Sequence, residues 1–401
     1  MAREVVVVDA VRTPIGRYRG QFKDVRPDDL GAIVIRALME RNPKLDPALI
    51  DDVIMGNANG AGEENRNVGR MSLLLAGLPQ EVSGTTVNRL CGSSLDAVSL
   101  GARSILSGEC EVIIAGGTES MTRAPFVMGK PEQDYPRGDM GLTDTTMGWR
   151  FINPELDRMY GTESMPQTAE NVAQKYNISR EEQDAFAVRS QQLAGKAIEE
   201  NRFADEIIPV VVMDRKGNET IIDQDEHPRP STTIEKLAKL SPLFEDGTIS
   251  AGNASGINDG ASGVILMSAE LADKLNLTPL VKFVGSATAG TEPSLMGLGP
   301  IYSTRKVMTK YGLTSDDFDL VEINEAFASQ SIECIKQLKL DIDKVNVNGG
   351  AIALGHPLGA SGTRILTTLI YEMKRRKAKL GLASMCIGVG QGISVVVENV
   401  K

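Results

Sequence analysis

The chain has 401 residues, 41% of them hydrophobic, so it can bury a sizeable core spread over two or three domains. A net charge of −10 with no long basic run argues against a general nucleic-acid or membrane-surface binder, although local cations or helix N-termini can still hold an anionic small ligand. Four widely spaced cysteines form no disulfide framework, and two histidines without a Cys-x-x-Cys pair argue against structural zinc. The N-terminus carries no signal-peptide pattern and no apolar run is long enough to span a bilayer, so a cytoplasmic location is expected.

Val5 to Val8 reads as a strand buried on both faces. Leu30, Ile33, Val34 and Leu38 mark a helix that ends near Pro43, and Asp52 to Met55 is a short strand closed by Gly56. Val68, Met71, Leu74 and Leu75 suggest a second helix. Val87-Asn88-Arg89-Leu90-Cys91-Gly92-Ser93-Ser94 then places a cysteine between an extended segment and a helix whose apolar stripe is Leu95, Val98, Ala102, Ile105 and Leu106. There the helix dipole favours the thiolate. A nucleophile and a buried structural cysteine are both open readings of that stretch alone. Glu111 to Gly117 is a central strand running into a glycine turn, and the alternation of strands and helices indicates a layered α/β architecture.

The pattern changes at Met121. Residues 121–168 are rich in Met, Pro and Gly, and Met121, Met128, Met140, Met147, Met159 and Met165 read mostly as gap-fillers, with a minority lining a site for a flexible chain. Ser179-Arg180-Glu181-Glu182 is a capping box opening a helix that carries Phe186, Leu193 and Ala197 on one face. Ile207 to Met213 and Ile221 to Ile222 are short apolar runs. His227, between acidic residues and Arg229, reads as solvated surface. From Leu280 the first pattern returns: Leu280 to Gly285 resembles the opening strand, Asp319 to Asn324 resembles Asp51 to Gly56, Val345 to Asn348 stands where Thr86 to Asn88 stood, and Leu380 to Gly388 resembles Val112 to Gly117. The helix of the second set carries Ile365, Leu366, Leu369, Ile370 and Met373. The expected organisation is two similar α/β halves, residues 1–120 with 258–278 and residues 279–401, separated by an inserted loop domain over 121–257.

Five segments stand out, all but the second combining glycines with a polar or nucleophilic residue: Cys91 at its junction, Asn324-Glu325-Ala326-Phe327, Gly355-His356-Pro357, Cys386-Ile387-Gly388, and Ala251-Gly252-Asn253-Ala254-Ser255-Gly256. Singly each has an ordinary structural reading; Cys110 and Cys334 read as inert. Jointly, and in this order, they resemble the thiolase family along essentially the whole chain. The resemblance implies the thiolase fold, with α-β-α-β-α layers, and cleavage of a 3-oxoacyl-CoA by free CoA, a reversible Claisen condensation. It implies Cys91 as nucleophile, His356 as base toward Cys91 and CoA, and Cys386 as the acid that protonates the departing acetyl-CoA carbanion. Asn324 would hold a water that, with His356, stabilises the enolate oxygen, and the N–H groups of Cys91 and Gly388 would bind the tetrahedral oxyanion. Ser255 would contact the pantetheine arm and Arg229 the nucleotide end of CoA. Met165, Phe244, Ala251 and Ala326 are further substrate or CoA contacts.

No metal and no permanently bound cofactor is implied, with CoA as co-substrate and a homodimer or homotetramer as the assembly. Ser164 stands where biosynthetic acetoacetyl-CoA members carry histidine, which favours a degradative role. Ala61 to Val68, Arg123 to Lys130 and Gly148 to Pro154 resemble bacterial 3-oxoadipyl-CoA members. Such a substrate carries a distal carboxylate, for which Arg123, Arg150 and Arg158 are candidate partners. An acetoacetyl-CoA thiolase, a carrier-protein-dependent ketosynthase and a non-catalytic acyl-CoA binder are the competing readings.

Overall fold

The computed structural model describes residues 3–213 and 216–400. The valine run forms β1 (Val5–Arg12), buried at every position because helices cover both faces of its sheet. Helix α1 (Pro27–Arg41) starts with proline and two aspartates and ends with arginine, in accord with its dipole. Strand β2 (Asp52–Gly56), helix α2 (Val68–Ala76), strand β3 (Ser83–Val87), helix α3 (Ser93–Ser107) and strand β4 (Val112–Ser120) follow. Gly77 and Gly108 stop α2 and α3 in the left-handed conformation that lacks a Cβ penalty. Helices α4 (Met165–Tyr176) and α5 (Arg180–Glu199) lie within residues 121–257, the second opened by the Ser179/Glu182 capping box. The chain then forms β5 (Asn258–Ser268), β6 (Val281–Gly290), α6 (Gly299–Tyr311), β7 (Leu320–Ile323), α7 (Ala328–Leu338), α8 (Ser361–Arg376), β8 (Leu380–Ile387) and β9 (Gln391–Asn399).

The strand order is β7-β8-β9-β6-β1-β5-β4-β2-β3, with the two-residue strand Gly16–Arg17 added beside β5. The β2–β3, β2–β4 and β7–β8 pairs are parallel and the others antiparallel. Only Val6 and Val7 of β1 pair with β6, and this narrow seam joins two half-sheets. Between them lie α3 and α8, whose Leu95, Val98, Ile105, Ile365, Leu369 and Met373 share one core with strand residues of both halves. Helices α1 and α2 cover the outer face of one half-sheet, and α6 and α7 that of the other. The layers are therefore α-β-α-β-α. Among the described residues of 121–257, strands occur only as two separate hairpin-like pairs, and none joins the main sheet. Fully buried Arg12 ties this stretch to β1 by bonding Glu206 (2.6 Å) and Asp225 (2.7 and 3.0 Å).

Four expectations need correction. The strand expected at Val345 is a single bridge to Val321, because Asn346 turns left-handed (φ 47°) and its side-chain amide bonds Ile323 N and O, both at 2.8 Å, in place of a ladder. Leu74, Leu75 and Leu106 are 42%, 47% and 45% exposed, so the outer edges of those helical stripes face out of the core. Met128, Met140, Met147 and Met159 are exposed too, and fill no gap within the chain. His227 is half-buried, not solvated.

The start of α6 crosses β9 so closely that a methyl group on Gly299 would run into the carbonyl oxygen of Gln391, and one on Gly392 into that of Gly299. Backbone on both sides leaves no room to yield. Gly299→Ala is expected to destabilise the protein by about 1–3 kcal/mol, seen as a lower urea midpoint; an unchanged midpoint would refute this packing.

Candidate active site

Between β3 and α3 the chain makes a tight loop. Asn88 Oδ1 accepts the Leu90 N–H (2.9 Å) and Asn88 Nδ2 donates to Ala58 O (3.0 Å), while Leu90 sits at φ 47°. Arg89 bonds Asp96 (2.8 Å) and reaches Gln391 of the other half (3.2 Å). Gly92 packs so tightly that a Cβ would lie 2.6 Å from Ile387 Cδ1. Cys91 thus stands at the seam of the two halves, one residue before the N-cap Gly92. The N–H groups of the N-cap Gly92 and of Ser93 bond the carbonyls of Arg89 and Leu90, so these two are turned to the loop and not to the thiol. Burial pushes the Cys91 thiol up to about 11. The N–H groups of Gly388 and of Cys91 itself pull it down, and the Glu119 charge pushes it further up. The resting sulfur is a thiol.

His356 is buried and anchored on three sides. Gly355, at φ 103°, lets the chain pass over Asn258, whose Oδ1 accepts the His356 N–H (2.9 Å) and whose Nδ2 donates to Gly16 O (2.8 Å). Ser361 donates its hydroxyl to Pro357 O (2.9 Å), so its oxygen accepts from His356 Nδ1–H (2.6 Å). This pattern leaves Nε2 as the lone-pair side, which faces Asn324 Nδ2 at 3.4 Å. Burial, aided by the Arg364 charge, lowers His356 to about 3, so the imidazole is neutral at any physiological pH. Asn324 is fully buried at the end of β7. Its N–H donates to Ser384 O (2.9 Å), and its Oδ1 has no partner among the described residues. A buried orphan acceptor beside an imidazole lone pair suits a polar ligand atom.

Cys386, near the end of β8, lies in an apolar cluster with Ala169, Ile249, Met296, Ala326 and Phe327, flanked by Met165 and Ala254. Burial pushes its thiol well above the ordinary range, and the nearby Cys91 sulfur adds to the shift. After Gly388 the chain turns through Val389 at φ 64°, a strained state for a β-branched residue and one that clusters at functional sites. A Cβ on Gly388 would lie 3.1 Å from Leu90 and 3.6 Å from the Met165 sulfur. Cys91, Gly388, Met165 and Cys386 therefore converge, and His356 and Asn324 meet one another.

The outer candidates divide. Ser255 donates its N–H to Ala326 O (2.9 Å), which links it to the Cys386 cluster. Phe244 is half-buried and Ala251 exposed. Arg229 is exposed, with its N–H given to Gln191 (2.7 Å). Half-buried His227 lies 3.4 Å from Asn258 Nδ2, on the far side of the amide that holds His356, and burial lowers it to about 4. Cys334 is sealed in α7, its thiol pushed up to about 12 by burial. Sequence reading passed over Glu119. This buried carboxylate accepts N–H groups of Ala58 (2.8 Å), Asn59 (3.2 Å) and Gly359 (2.8 Å), fastening the loop after His356 to the other half. Burial pushes it up to about 7. Its only sequence signal is an acid following a glycine-ended strand.

A thiol without an ion-pair partner, a neutral imidazole and a second buried thiol are a set of groups that can perform acyl transfer coupled to proton transfer at carbon. The comparisons agree. The family descriptions "Thiolase, N-terminal domain" and "Thiolase, C-terminal domain" match residues 5–270 and 277–399. The chain is 53% identical, over 100% of both chains, to the beta-ketoadipyl-CoA thiolase of Pseudomonas aeruginosa. It is 54% identical, over 99% of this chain and 100% of the other, to the 3-oxoadipyl-CoA/3-oxo-5,6-dehydrosuberyl-CoA thiolase of Escherichia coli K12. The crystal structure of the Bacillus anthracis acetyl-CoA acetyltransferase superposes with a TM-score of 0.93 at 40% identity, covering 100% of this chain and 99% of that one. The chain belongs to the thiolase family and is a CoA-dependent acyltransferase that cleaves 3-oxoacyl-CoA thioesters.

Proposed function

We propose that this thiolase cleaves 3-oxoadipyl-CoA with free CoA, giving acetyl-CoA and succinyl-CoA. The observation that carries the substrate is full-length identity above 50% to relatives named for it. Ser164 supports a degradative role because it stands where biosynthetic members carry histidine; here it caps α4 by accepting the Gln167 N–H (3.4 Å).

In this reading the Cys91 proton passes to His356 Nε2 as the sulfur attacks C3, and the N–H groups of Cys91 and Gly388 hold the oxyanion. The C2–C3 bond breaks, and the electron pair forms the acetyl-CoA enolate, whose oxygen faces His356 and a water on Asn324. Cys386 gives its proton to C2. The His356 proton then restores Cys386, and the freed imidazole takes the proton of incoming CoA. The CoA sulfur attacks the acyl-Cys91 thioester, and the released Cys91 sulfur recovers a proton from His356. Ser255, Met165 and Ala326 bind the pantetheine and acyl parts. Ala251, Phe244 and Arg229 form an outer rim toward the nucleotide.

Residues 121–257 act as one inserted loop domain over this site, with 1–120 plus 258–278 and 279–401 as the two halves. No permanent cofactor takes part. The assembly is a homodimer or homotetramer, supported by exposed Leu74, Leu75 and Leu106; a monomer in sedimentation equilibrium would overturn it. Four free thiols suit a reducing cytoplasm.

The test is a kinetic panel of 3-oxoadipyl-CoA, acetoacetyl-CoA and 3-oxohexanoyl-CoA. We expect kcat/KM to be highest for 3-oxoadipyl-CoA by about tenfold or more. Equal or better cleavage of acetoacetyl-CoA would make the protein an acetyl-CoA acetyltransferase instead.

A further inference from the structure

A 3-oxoadipyl group differs from a neutral six-carbon 3-oxoacyl group only at its far end, where a carboxylate replaces a methyl. Discrimination between them needs a cation near the acyl pocket. Three arginines of the inserted stretch are in question, and their surroundings separate them. Arg123 is already saturated: it grips Glu63 through two bonds (2.5 and 2.6 Å) and donates to Lys23 O (3.0 Å). Arg158 pairs with Glu155 on its own short helix, and its side chain is 70% exposed. Arg150 is half-buried and has no carboxylate within ion-pair range among the described residues. It makes one long bond among the described residues, from Nη1 to Thr145 O at 3.4 Å.

The segment carrying Arg150 is tied at both ends to stretches that lead to the site. At one end Thr145 receives Asn59 Nδ2 at both its carbonyl (3.1 Å) and its hydroxyl (3.0 Å). The adjacent Ala58 O accepts from Asn88, three positions before Cys91 in the catalytic loop. At the other end Trp149 Nε1 donates to Glu163 O (3.2 Å), two residues before Met165, which packs against Gly388 and the Cys386 cluster. Residues 145–150 therefore bridge from the Cys91 side to the Cys386 side. The chain leaves Arg150 through Phe151 at φ 51°, and Asn153 then caps the next helix, which fixes the direction of the turn.

We propose that Arg150 is the specificity-determining residue that receives the distal carboxylate of an ω-carboxylated 3-oxoacyl-CoA. The inference rests on the 3-oxoadipyl-CoA reading above. Its weak bond to Thr145 O exchanges for a charge-assisted, two-pronged contact when the substrate enters. The carboxylate is remote from the reacting carbons, so the contact acts chiefly through KM.

The experiment compares kcat/KM for 3-oxoadipyl-CoA and 3-oxohexanoyl-CoA in the full chain and in Arg150→Met and Arg150→Lys. The ratio of the two substrates cancels any general damage. In Arg150→Met the ratio is expected to fall by about 10- to 100-fold, mostly through KM. Arg150→Lys, which keeps the charge but loses the fork, retains an intermediate ratio. A parental enzyme with no preference for 3-oxoadipyl-CoA overturns the substrate reading and the inference with it. A parental preference that survives unchanged in Arg150→Met overturns the role of Arg150 alone.

Discussion

Replacing Cys91 with alanine is expected to abolish CoA-dependent cleavage, lowering kcat by about 10⁴-fold or more, with the fold intact. The loop does not depend on the sulfur, because Asn88, Arg89 and Ser93 hold it through bonds to Leu90, Ala58, Asp96 and Gln391. The loss is large because, in the proposed mechanism, the acyl intermediate forms on Cys91. Cys386 is itself buried and pushed well above the ordinary thiol range. Intact-mass measurement after mixing with 3-oxoadipyl-CoA, without CoA, should show a succinyl adduct on the parent protein and none on Cys91→Ala. Thiolysis surviving in the variant would sink the covalent mechanism. The resting pair is thiol and neutral imidazole, since burial raises Cys91 to about 11 and lowers His356 to about 3. Charge therefore appears only as the sulfur attacks, where the N–H groups of Cys91 and Gly388 can meet it.

Cys386→Ala should separate the two half-reactions. Carbon–carbon cleavage needs an acid at C2 and should fall by about 10³-fold. Exchange of labelled CoA into succinyl-CoA makes and breaks only the Cys91 thioester. It draws on Cys91 and His356, and should keep within about tenfold of the parental rate. The side chain sits in an apolar cluster, so alanine leaves no unpaired polar group behind. Equal loss in both assays would remove Cys386 from the proton step and make it a packing residue.

Much of the candidate site is legible before folding is considered. Cys91, Asn324, His356 and Cys386 each stand at a strand or loop end, all but Asn324 beside glycines, and the second half repeats the first well enough to align Leu320–Ile323 with Asp52–Gly56. The repeat breaks at Val345, because an asparagine side chain can imitate a strand's hydrogen bonds without the extended backbone. Glu119 escaped notice because its partners Ala58, Asn59 and Gly359 come from loops of opposite halves. The half-burial of His227 is not legible in its acidic sequence neighbours, because Asn258 and Gly256, which enclose it, come from further along the chain.

The sequence by itself determined the layered α/β class, with the inserted loop domain and the residues proposed to carry the chemistry as expectations. These depend on periodicity and short motifs, which are local properties. Only the tertiary structure decided the protonation state of Cys91, the tautomer of His356 held by Ser361 and which arginine of the insertion is free of a carboxylate. Each of these is set by desolvation and by hydrogen-bond partners brought from distant parts of the chain. The start of α3 at Cys91 shows the difference: the helix is where the sequence puts it, but the loop's own carbonyls take the N–H groups of its cap Gly92 and first residue Ser93.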